Sequence, residues 1–598
     1  MNIDPIRELD GRNLYYTFVA GAKRVFEHQA EINRINVFPV NDKDTGTNLV
    51  ATLQAILDNT SPNKSYKTTA DNIAEAALIG ARGNSGIIFA QFLYGLSMET
   101  VNEDKIKMPD FASSVNNSIT YIYDAISNPV EGTMLTVIRD WAEYIHSNKD
   151  LFSDFNQIFL SSLETLKKSL FETTGKLKVL SKANVVDAGA KGFVLFIEGI
   201  IDFIKNGNIQ ELMAQNHTSA ELPLINENIE NEITYRYCTE AVIKNFSWNS
   251  KQLKDLLEKN GDSVVVAGSS KMQRLHFHTN HPDQVFQELK DSGTITFQKI
   301  DDMVRQNEMA IAPKAKIALV TDSTCDLPQE ILDHYQINMI PINLYFGQNH
   351  YLDRLTIQHD QFYEMLDSNA EFPVTSQCNT QSFEKLYNRL ADYYDAVISI
   401  HLSEKLSGTI NNAIKAADKI SSTKSTPIHV IDSKGVSGAL GLQVLKIAEA
   451  IASGIQTSEI IESLKVWQNN TNIFVSVKTL KYMVKGGRVS HTKGLIARLL
   501  NINPIISLDK DGKSLVFGKT YTHKSNLKLV MKTVAKLTDQ KNVWKYIILH
   551  ANNPEAANWY KSQMKKLSKQ EPVAVVNISP VIAMHAGVGT AAVALITE

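Results

Sequence analysis

A chain of 598 residues has room for roughly three or four domains with sizeable cores. Its 61 Lys and Arg nearly balance 64 Asp and Glu, which gives no basis for nucleic acid or an acidic membrane surface as a partner. Three scattered cysteines, Cys238, Cys325 and Cys378, are too few for a disulfide framework and fit a reducing cytoplasm. The N-terminal stretch MNIDPIRELDG lacks the basic-then-apolar pattern of a signal peptide, and no apolar run approaches the ~18 residues needed to span a bilayer.

Residues 1–205 carry a helical period almost throughout, interrupted by short turns, which predicts an antiparallel helical bundle. Within it, Asn36-Val37-Phe38-Pro39-Val40-Asn41-Asp42-Lys43-Asp44-Thr45-Gly46-Thr47-Asn48 sets two carboxylates two positions apart between a Pro and a Gly. They precede the helix-period run Leu49, Val50, Leu53, Ile56 and Leu57, so Asp42 and Asp44 are expected on a tight loop. Such a loop can hold magnesium beneath substrate phosphates. By spacing alone it can equally be a solvated helix N-terminus, where carboxylates favour the positive end of the dipole. GARGNSGIIFAQFLYG, from Gly80, is a small Gly-rich turn before a helix. It reads either as a close backbone approach to phosphate or as a packing corner.

The loop INVFPVNDKDTGTNLV resembles the metal loop of the dihydroxyacetone-kinase-like (DhaL) domain family, as do three later segments in the same order. The resemblance implies an all-α helical barrel that binds ATP and magnesium, with the metal at Asp42 and Asp44. Nucleotide contacts are implied at Asn36, Thr45, Gly46, Thr47, Asn48, Gly83, Asn84, Ser85 and Gly86. NPVEGTMLTVIRDWAE adds Gly132 and Thr133, with Thr136 nearby and Arg139 as a surface charge. VVDAGAKGF adds Asp187, which on its residue type also suits a helix cap. Asn41 stands for the family's Pro, Lys43 for a Gly, and Ala190 for another Gly. A Lys at a left-handed position costs on the order of 1 kcal/mol.

Residues 206–233 turn polar, acidic and amide-rich and read as a linker. A small α/β module is expected over 234–312, with strands in ITYRYCTEAVI, DSVVVAGS and RLHFHTN and a helix in NSKQLKDLLEKNG. His276 and His278 then share one strand face while Leu275 and Phe277 take the other. With Cys238 on a neighbouring strand they form either a hydrogen-bonded polar pair or a zinc site. YCTE followed by HFHTNHP resembles the middle domain of the fatty acid kinase family, which implies zinc at Cys238, His276 and His278.

From Lys314 onward short apolar strands alternate with amphipathic helices. Strands at Ile317–Val320, Ala396–Ile400, Ile428–Ile431 and Trp544–Leu549 predict an open parallel sheet with ligands beyond the strand C-termini. VTDSTCDLP, FPVTSQCNT, LSEKLSGT, VIDSKGVSGALG, MVKGGRVS, INPII and SPVIAMHAGVG resemble, in order, the motifs of the DegV family of fatty-acid-binding proteins. The implied fold over 313–598 is α/β with two subdomains. The acyl chain lies in a tunnel between them, its carboxylate is held by Thr375, Ser376 and Ser407, and Arg488 and His585 lie beside the head group. Val374, Cys378 and Val588 depart from the family pattern, with pocket shape as the expected consequence.

The combination implies an ATP-dependent fatty acid kinase in one multidomain chain: a DhaL-like domain over 1–205, the linker, the middle module, and a DegV-like domain over 313–598. Its product is acyl phosphate, Arg488 and His585 are its catalytic candidates, and ATP and magnesium are its cofactors, with zinc implied for the middle module. The expected partners are a fatty acid, a second copy of the chain through the kinase domain, and a downstream acyltransferase. Two other readings stay open: a carrier or sensor of fatty acid with a weakened kinase site, and a dihydroxyacetone kinase. The latter is disfavoured because nothing resembles that enzyme's separate substrate domain.

Overall fold

The structure is a computed structural model that describes residues 5–38, 43–206, 233–368, 371–488, 503–539 and 541–598. These residues form two compact bodies, one of 1–281 with 289–304 and the other of 282–288 with 305–598. Among them no helix is long and apolar enough to cross a membrane. The fold class is the one expected: a helical N-terminal region followed by α/β structure that includes a parallel sheet.

The first body opens with strand β1 (Glu8–Asp10), which pairs antiparallel with β2 (Lys105–Lys107). The helices that follow are α1 (Gly11–Glu27), α2 (Gln29–Arg34), α3 (Thr45–Asn59), α4 (Tyr66–Gly80), α5 (Gly83–Glu99), α6 (Met108–Ala125), α7 (Met134–Ser147), α8 (Phe155–Lys176), α9 (Lys178–Ala183) and α10 (Ala188–Asn206). Local chemistry sets several of their starts. Asp10 caps α1, accepting from Asn13 N–H at 2.9 Å while the Asn13 side chain accepts from Asp10 N–H, a reciprocal cap that satisfies two orphan donors. Ser65 and Asp154 cap α4 and α8 with side-chain oxygens of their own.

Helices α3 to α8 pack largely on their chain neighbours, and α10 returns to touch α1, α3, α7 and α8, closing the ring. The return is close because α1 and α10 meet at glycines. A Cβ on Gly21 would strike Phe196, and one on Gly199 would strike the Ala20 carbonyl. The interior is filled by aromatic rings in edge contact: Phe18 on Phe196 at 5.1 Å, Phe196 on Phe89 at 5.1 Å, and Phe193 on Trp141 at 5.7 Å. Such pairs add roughly 0.5–1.5 kcal/mol each beyond the area they bury.

The middle segment of the same body is a four-stranded antiparallel sheet, ordered β4 (Gly261–Ser269), β5 (Met272–Thr279), β3 (Tyr237–Lys244), β6 (Thr294–Asp302). The helix Ser250–Asn260 connects β3 to β4. Strand β6 has no counterpart among the strands expected from sequence. Its run TITFQKIDD mixes polar and apolar positions, and it is a mostly half-buried strand at the sheet edge.

In the second body β7 (Ile317–Asp322), β8 (Asn338–Ile340), β12 (Ala396–His401) and β13 (Ile428–Asp432) make the parallel sheet, ordered β13-β12-β7-β8. A small antiparallel sheet joins β10 (Asn349–Leu352), β9 (Asn343–Phe346) and β11 (Val374–Ser376). A six-stranded sheet runs β16 (Ser514–Thr520), β15 (Asn503–Leu508), β14 (Thr471–Ser476), β19 (Ala591–Thr597), β17 (Val543–His550), β18 (Val575–Asn577). This corrects one expectation: the Trp544–Leu549 strand lies in the six-stranded sheet, antiparallel to β19, and not in the parallel one. Its apolar run fits either sheet, and only the C-terminal strand that pairs with it decides.

Candidate functional site

Four helices of the first body begin at one place. The Asn48 amide on α3 lies where a Cβ on Gly83 of α5 would go, and Ser85 Oγ lies against Gly189 of α10. Asp187, buried, caps α10 by accepting from Ala190 N–H at 2.7 Å and accepts also from the backbone of Met134, the first residue of α7. Burial raises this carboxyl to about 6 even though backbone donors pull the other way. Converging N-termini add their positive ends and unpaired N–H groups, an arrangement suited to phosphate. In the same place Asn84 Oδ1 is buried without a partner among the described residues.

The other residues expected at a nucleotide divide by what they touch. Asp42 lies outside the described residues. Asp44 stands at the N-cap position of α3, yet its side chain makes no capping hydrogen bond, which leaves the carboxylate available to a cation. Lys43 has φ of +53°, so the family's Gly position is indeed left-handed here. Thr47 is engaged within the protein: its Oγ1 accepts from Gln29 and Asn33, and its N–H donates to Asn33 Oδ1 at 3.0 Å. Thr45 is buried, Gly46 packs against α2, and Asn36 is buried with its N–H on the Asn33 carbonyl. Gly132 donates its N–H to Thr136 Oγ1 at 2.8 Å, and that hydroxyl donates to Glu131. Thr133 Oγ1 donates to the Val130 carbonyl. Arg139 pairs with Glu131 and Asp140.

On the sheet of the same body Cys238 stands opposite His278, and Glu240 opposite His276. One ligand atom from each of Cys238, His276 and His278 lies within 4.8 Å of the others, and the Cys238 sulfur is 4.0 Å from His276 Nδ1. The set fits a zinc-type ion. It combines a soft thiolate with two imidazoles, His276 Nε2 is buried without a partner among the described residues, and Asp262 braces His278 Nδ1 at 3.2 Å, as carboxylates brace metal-ligating histidines. Burial pushes the Cys238 thiol up, with Asp44 among the carboxylates that reinforce it. Burial and His278 pull His276 down to about 3, so it is neutral and able to ligate at physiological pH.

Beside this cluster lies a charge group that the sequence did not single out. Glu240 and Arg274 are fully buried and paired, Lys299 reaches the same carboxylate at 3.1 Å, and Gly83 N–H donates to Glu240 Oε1 at 3.1 Å. Burial opposes ionisation of Glu240, but Lys299 and Arg274 hold it well below the usual range. The only trace in the sequence is a Glu at an inward position of an alternating strand.

In the second body a cavity opens between the parallel sheet and the six-stranded sheet. Ile473, Val475, Ile506, Leu549 and Ala592 give it an apolar wall. Thr375, Ser376, Ser407, Arg488 and His585 all line it, although the sequence scatters them over more than two hundred positions. Ser376 is exposed, Thr375 and Arg488 are half-buried, and Arg488 donates to the Leu406 and Gly486 carbonyls. Ser407 Oγ lies 3.0 Å from Thr409 Oγ1 and accepts from the N–H of Thr409, the first residue of the helix Thr409–Ser421. Burial, with Arg488 beside it, lowers His585 to about 3, and its Nδ1 is buried without a partner among the described residues. Gln377, Ser437, Ser514 and His550 line the cavity as well, unforeseen because single polar residues on distant strands carry no local signal. Val374, Cys378 and Val588 are not among its lining residues.

Three family profiles cover the chain: the DAK2 domain over 39–202, the FakA-like middle domain of the fatty acid kinase type over 234–310, and the DegV family over 316–598. A DegV domain-containing protein of Staphylococcus aureus is 34% identical over 274 residues, 46% of this chain and 96% of that protein. The chain belongs to the DegV family. It joins a DegV domain to a DAK2 domain and a FakA-like middle domain, the domain set of a fatty acid kinase fused in one polypeptide. The Bacillus subtilis protein YloV is 29% identical over 329 residues, 52% of this chain and 59% of that protein. Among solved structures, DegV from Bacillus subtilis, described as a fatty acid binding protein, is 28% identical, with 48% of this chain and all of that one covered at a TM-score of 0.43. A DegV family protein from Thermus thermophilus, described by its fatty acid binding, is 26% identical, covering 47% and all of the respective chains at a TM-score of 0.44.

Proposed function

We propose that this chain phosphorylates a fatty acid held in its own DegV domain, giving acyl phosphate and ADP. The observation that carries the reading is the cavity: an apolar wall with Arg488, His585, Thr375 and Ser407 among its polar groups, in a chain that also carries a DAK2 domain. A fatty acid carboxylate has a pKa near that of Glu, about 4.3, so it is ionised at neutral pH and needs no general base. One carboxylate oxygen attacks the γ-phosphorus in line, the bond from that phosphorus to the β,γ-bridging oxygen breaks, and ADP leaves with the electron pair. Positioning and charge neutralisation supply the catalysis.

Thr375, Ser376 and Ser407 hold the carboxylate, His585 orients it as a neutral imidazole, and Arg488 offsets charge on the phosphoryl group. The triphosphate takes the N–H groups and the Asn84 amide where α3, α5, α7 and α10 begin. Asp44, with Asp42, would hold magnesium, which when bound neutralises the phosphate oxygens. Cys238, His276 and His278 would hold zinc in a structural role. The division of labour is 1–205 for nucleotide, 206–233 as linker, 234–312 as the middle module and 313–598 for lipid. We place the protein in the cytoplasm, as a homodimer through the helical domain, with an acyltransferase consuming its product.

Lys43 favours a second reading, a lipid carrier with a weakened kinase site, because it holds a left-handed backbone where Gly is free of strain. Hydroxylamine trapping of acyl phosphate from the pure protein, magnesium-ATP and a long-chain fatty acid separates the two. Kinase action gives hydroxamate that disappears in Asp44→Ala. Protein that carries bound fatty acid yet yields no hydroxamate is a carrier only.

A further inference from the structure

Gly83 opens α5 with φ of +60°, and its N–H is one of the four that a helix start leaves without an intrahelical partner. The acceptor comes from another module, 157 positions along the chain: Glu240 Oε1, at 3.1 Å. Arg274 and Lys299 grip the same carboxylate, and the guanidinium groups of Arg82 and Arg274 both lie over the Phe297 ring, at 4.7 and 4.9 Å from its centroid. Gly86 N–H returns to the Arg82 carbonyl at 3.1 Å. The two donors between, on Asn84 and Ser85, have no partner among the described residues, and Asn84 Oδ1 is buried in the same state. Glu240 is also two residues from Cys238 on the same strand face and opposite His276, so whatever fixes that cluster fixes Glu240.

We propose that Glu240 is a positioning residue of the nucleotide site: it pins the Gly83 turn so that the Asn84 and Ser85 N–H groups face the bound phosphates, and thereby makes nucleotide affinity depend on the middle module. This rests on the reading that the helical domain binds ATP. A buried ion pair adds little net stability relative to apolar residues of similar size. Its retention here goes with the one acceptor that the turn requires.

Removing Glu240 alone would strand the buried Arg274 charge, so the test uses two double variants of the full chain. Glu240→Gln with Arg274→Met keeps an acceptor for Gly83 and removes the ion pair. Glu240→Ala with Arg274→Met removes both, and Lys299 keeps Asp301 at 2.7 Å in each. Calorimetric titration with magnesium-ADP should give a Kd within about twofold of wild type for the Gln form and about tenfold weaker for the Ala form, about 1.4 kcal/mol. Amide hydrogen exchange over 83–86 should quicken in the Ala form only, and zinc content should match wild type in both. Equal affinities for the two doubles, or unchanged exchange in the Ala form, overturn the role of Glu240 and leave the kinase reading standing. A wild-type chain that binds no ADP overturns the kinase reading, and this inference with it.

Discussion

Arg488 and His585 illustrate how much two neighbouring side chains settle about each other. A guanidinium cannot give up its proton in a protein, so the adjacent imidazole, already buried, stays neutral and can meet a carboxylate only as a hydrogen-bond partner. On the proposed kinase reading, charge neutralisation then falls to Arg488. Arg488→Ala is expected to lower acyl phosphate formation at least about a hundredfold, the scale of a lost electrostatic donor at a reacting centre, while fatty acid extracted from the pure protein stays near wild-type amount. Loss of lipid in parallel with turnover would refute that separation of roles. Lys43 is the second residue-scale case. Lys43→Gly relieves a left-handed backbone cost of about 1 kcal/mol and should raise the thermal midpoint slightly. A lowered midpoint would mean that the lysine side chain contributes more than its backbone costs.

At the scale of elements, the cavity depends on the short helix Pro580–Ala586, which carries Val581, Ile582 and His585 into its wall. Two buried carboxylates hold the start of that helix: Asp326 accepts from Ser579 N–H at 2.9 Å, and Asp353 from Val581 N–H at 3.1 Å. Each also accepts a serine hydroxyl, from Ser437 and Ser323 respectively. Burial raises Asp326 to about 6 and Asp353 to about 7. An acid whose folded pKa lies above its unfolded value, about 3.9 for Asp, contributes stability that is complete below the unfolded value and is lost as pH rises through the folded one. For Asp353 that window runs from about 4 to about 7. The thermal midpoint of Asp353→Asn should therefore gain on wild type as pH climbs through this window and hold a constant lead above it. Scanning calorimetry at stepped pH reads this, and a lead that does not change with pH would show that the carboxyl does not titrate there.

At the scale of the whole molecule, on the proposed kinase reading, covalent fusion replaces encounter between two proteins by encounter between two parts of one chain. The effective concentration is then set by connection length and not by how much protein is present, in the millimolar range for short flexible links. Turnover per chain should accordingly stay constant on dilution. Turnover that falls in proportion to protein concentration would mean that the lipid half of one chain works with the kinase half of another through free encounter.

Much of this protein is legible in its sequence because much of it is local. The helical period of 1–205 and the alternation around His276 and His278 each depend on neighbours a few positions away. So does the left-handed turn at Lys43, which a Gly-for-Lys comparison already points to. What sequence spacing left open is of another kind. Asp187 reads as a cap or a ligand, and only the structure shows Met134 sharing it; Thr47 reads as a nucleotide contact, and only the structure shows Asn33 bonded to its hydroxyl and N–H. Glu240 is one more Glu until Gly83, Arg274 and Lys299 surround it. Trp544–Leu549 fits two sheets until β19 pairs with it. Backbone preference and hydrophobic period act over a turn or a strand, so the sequence by itself determines the elements and their exposed and buried faces. Which distant groups meet across a barrel end or a cavity is fixed by packing of the whole chain, and only the tertiary structure decides it.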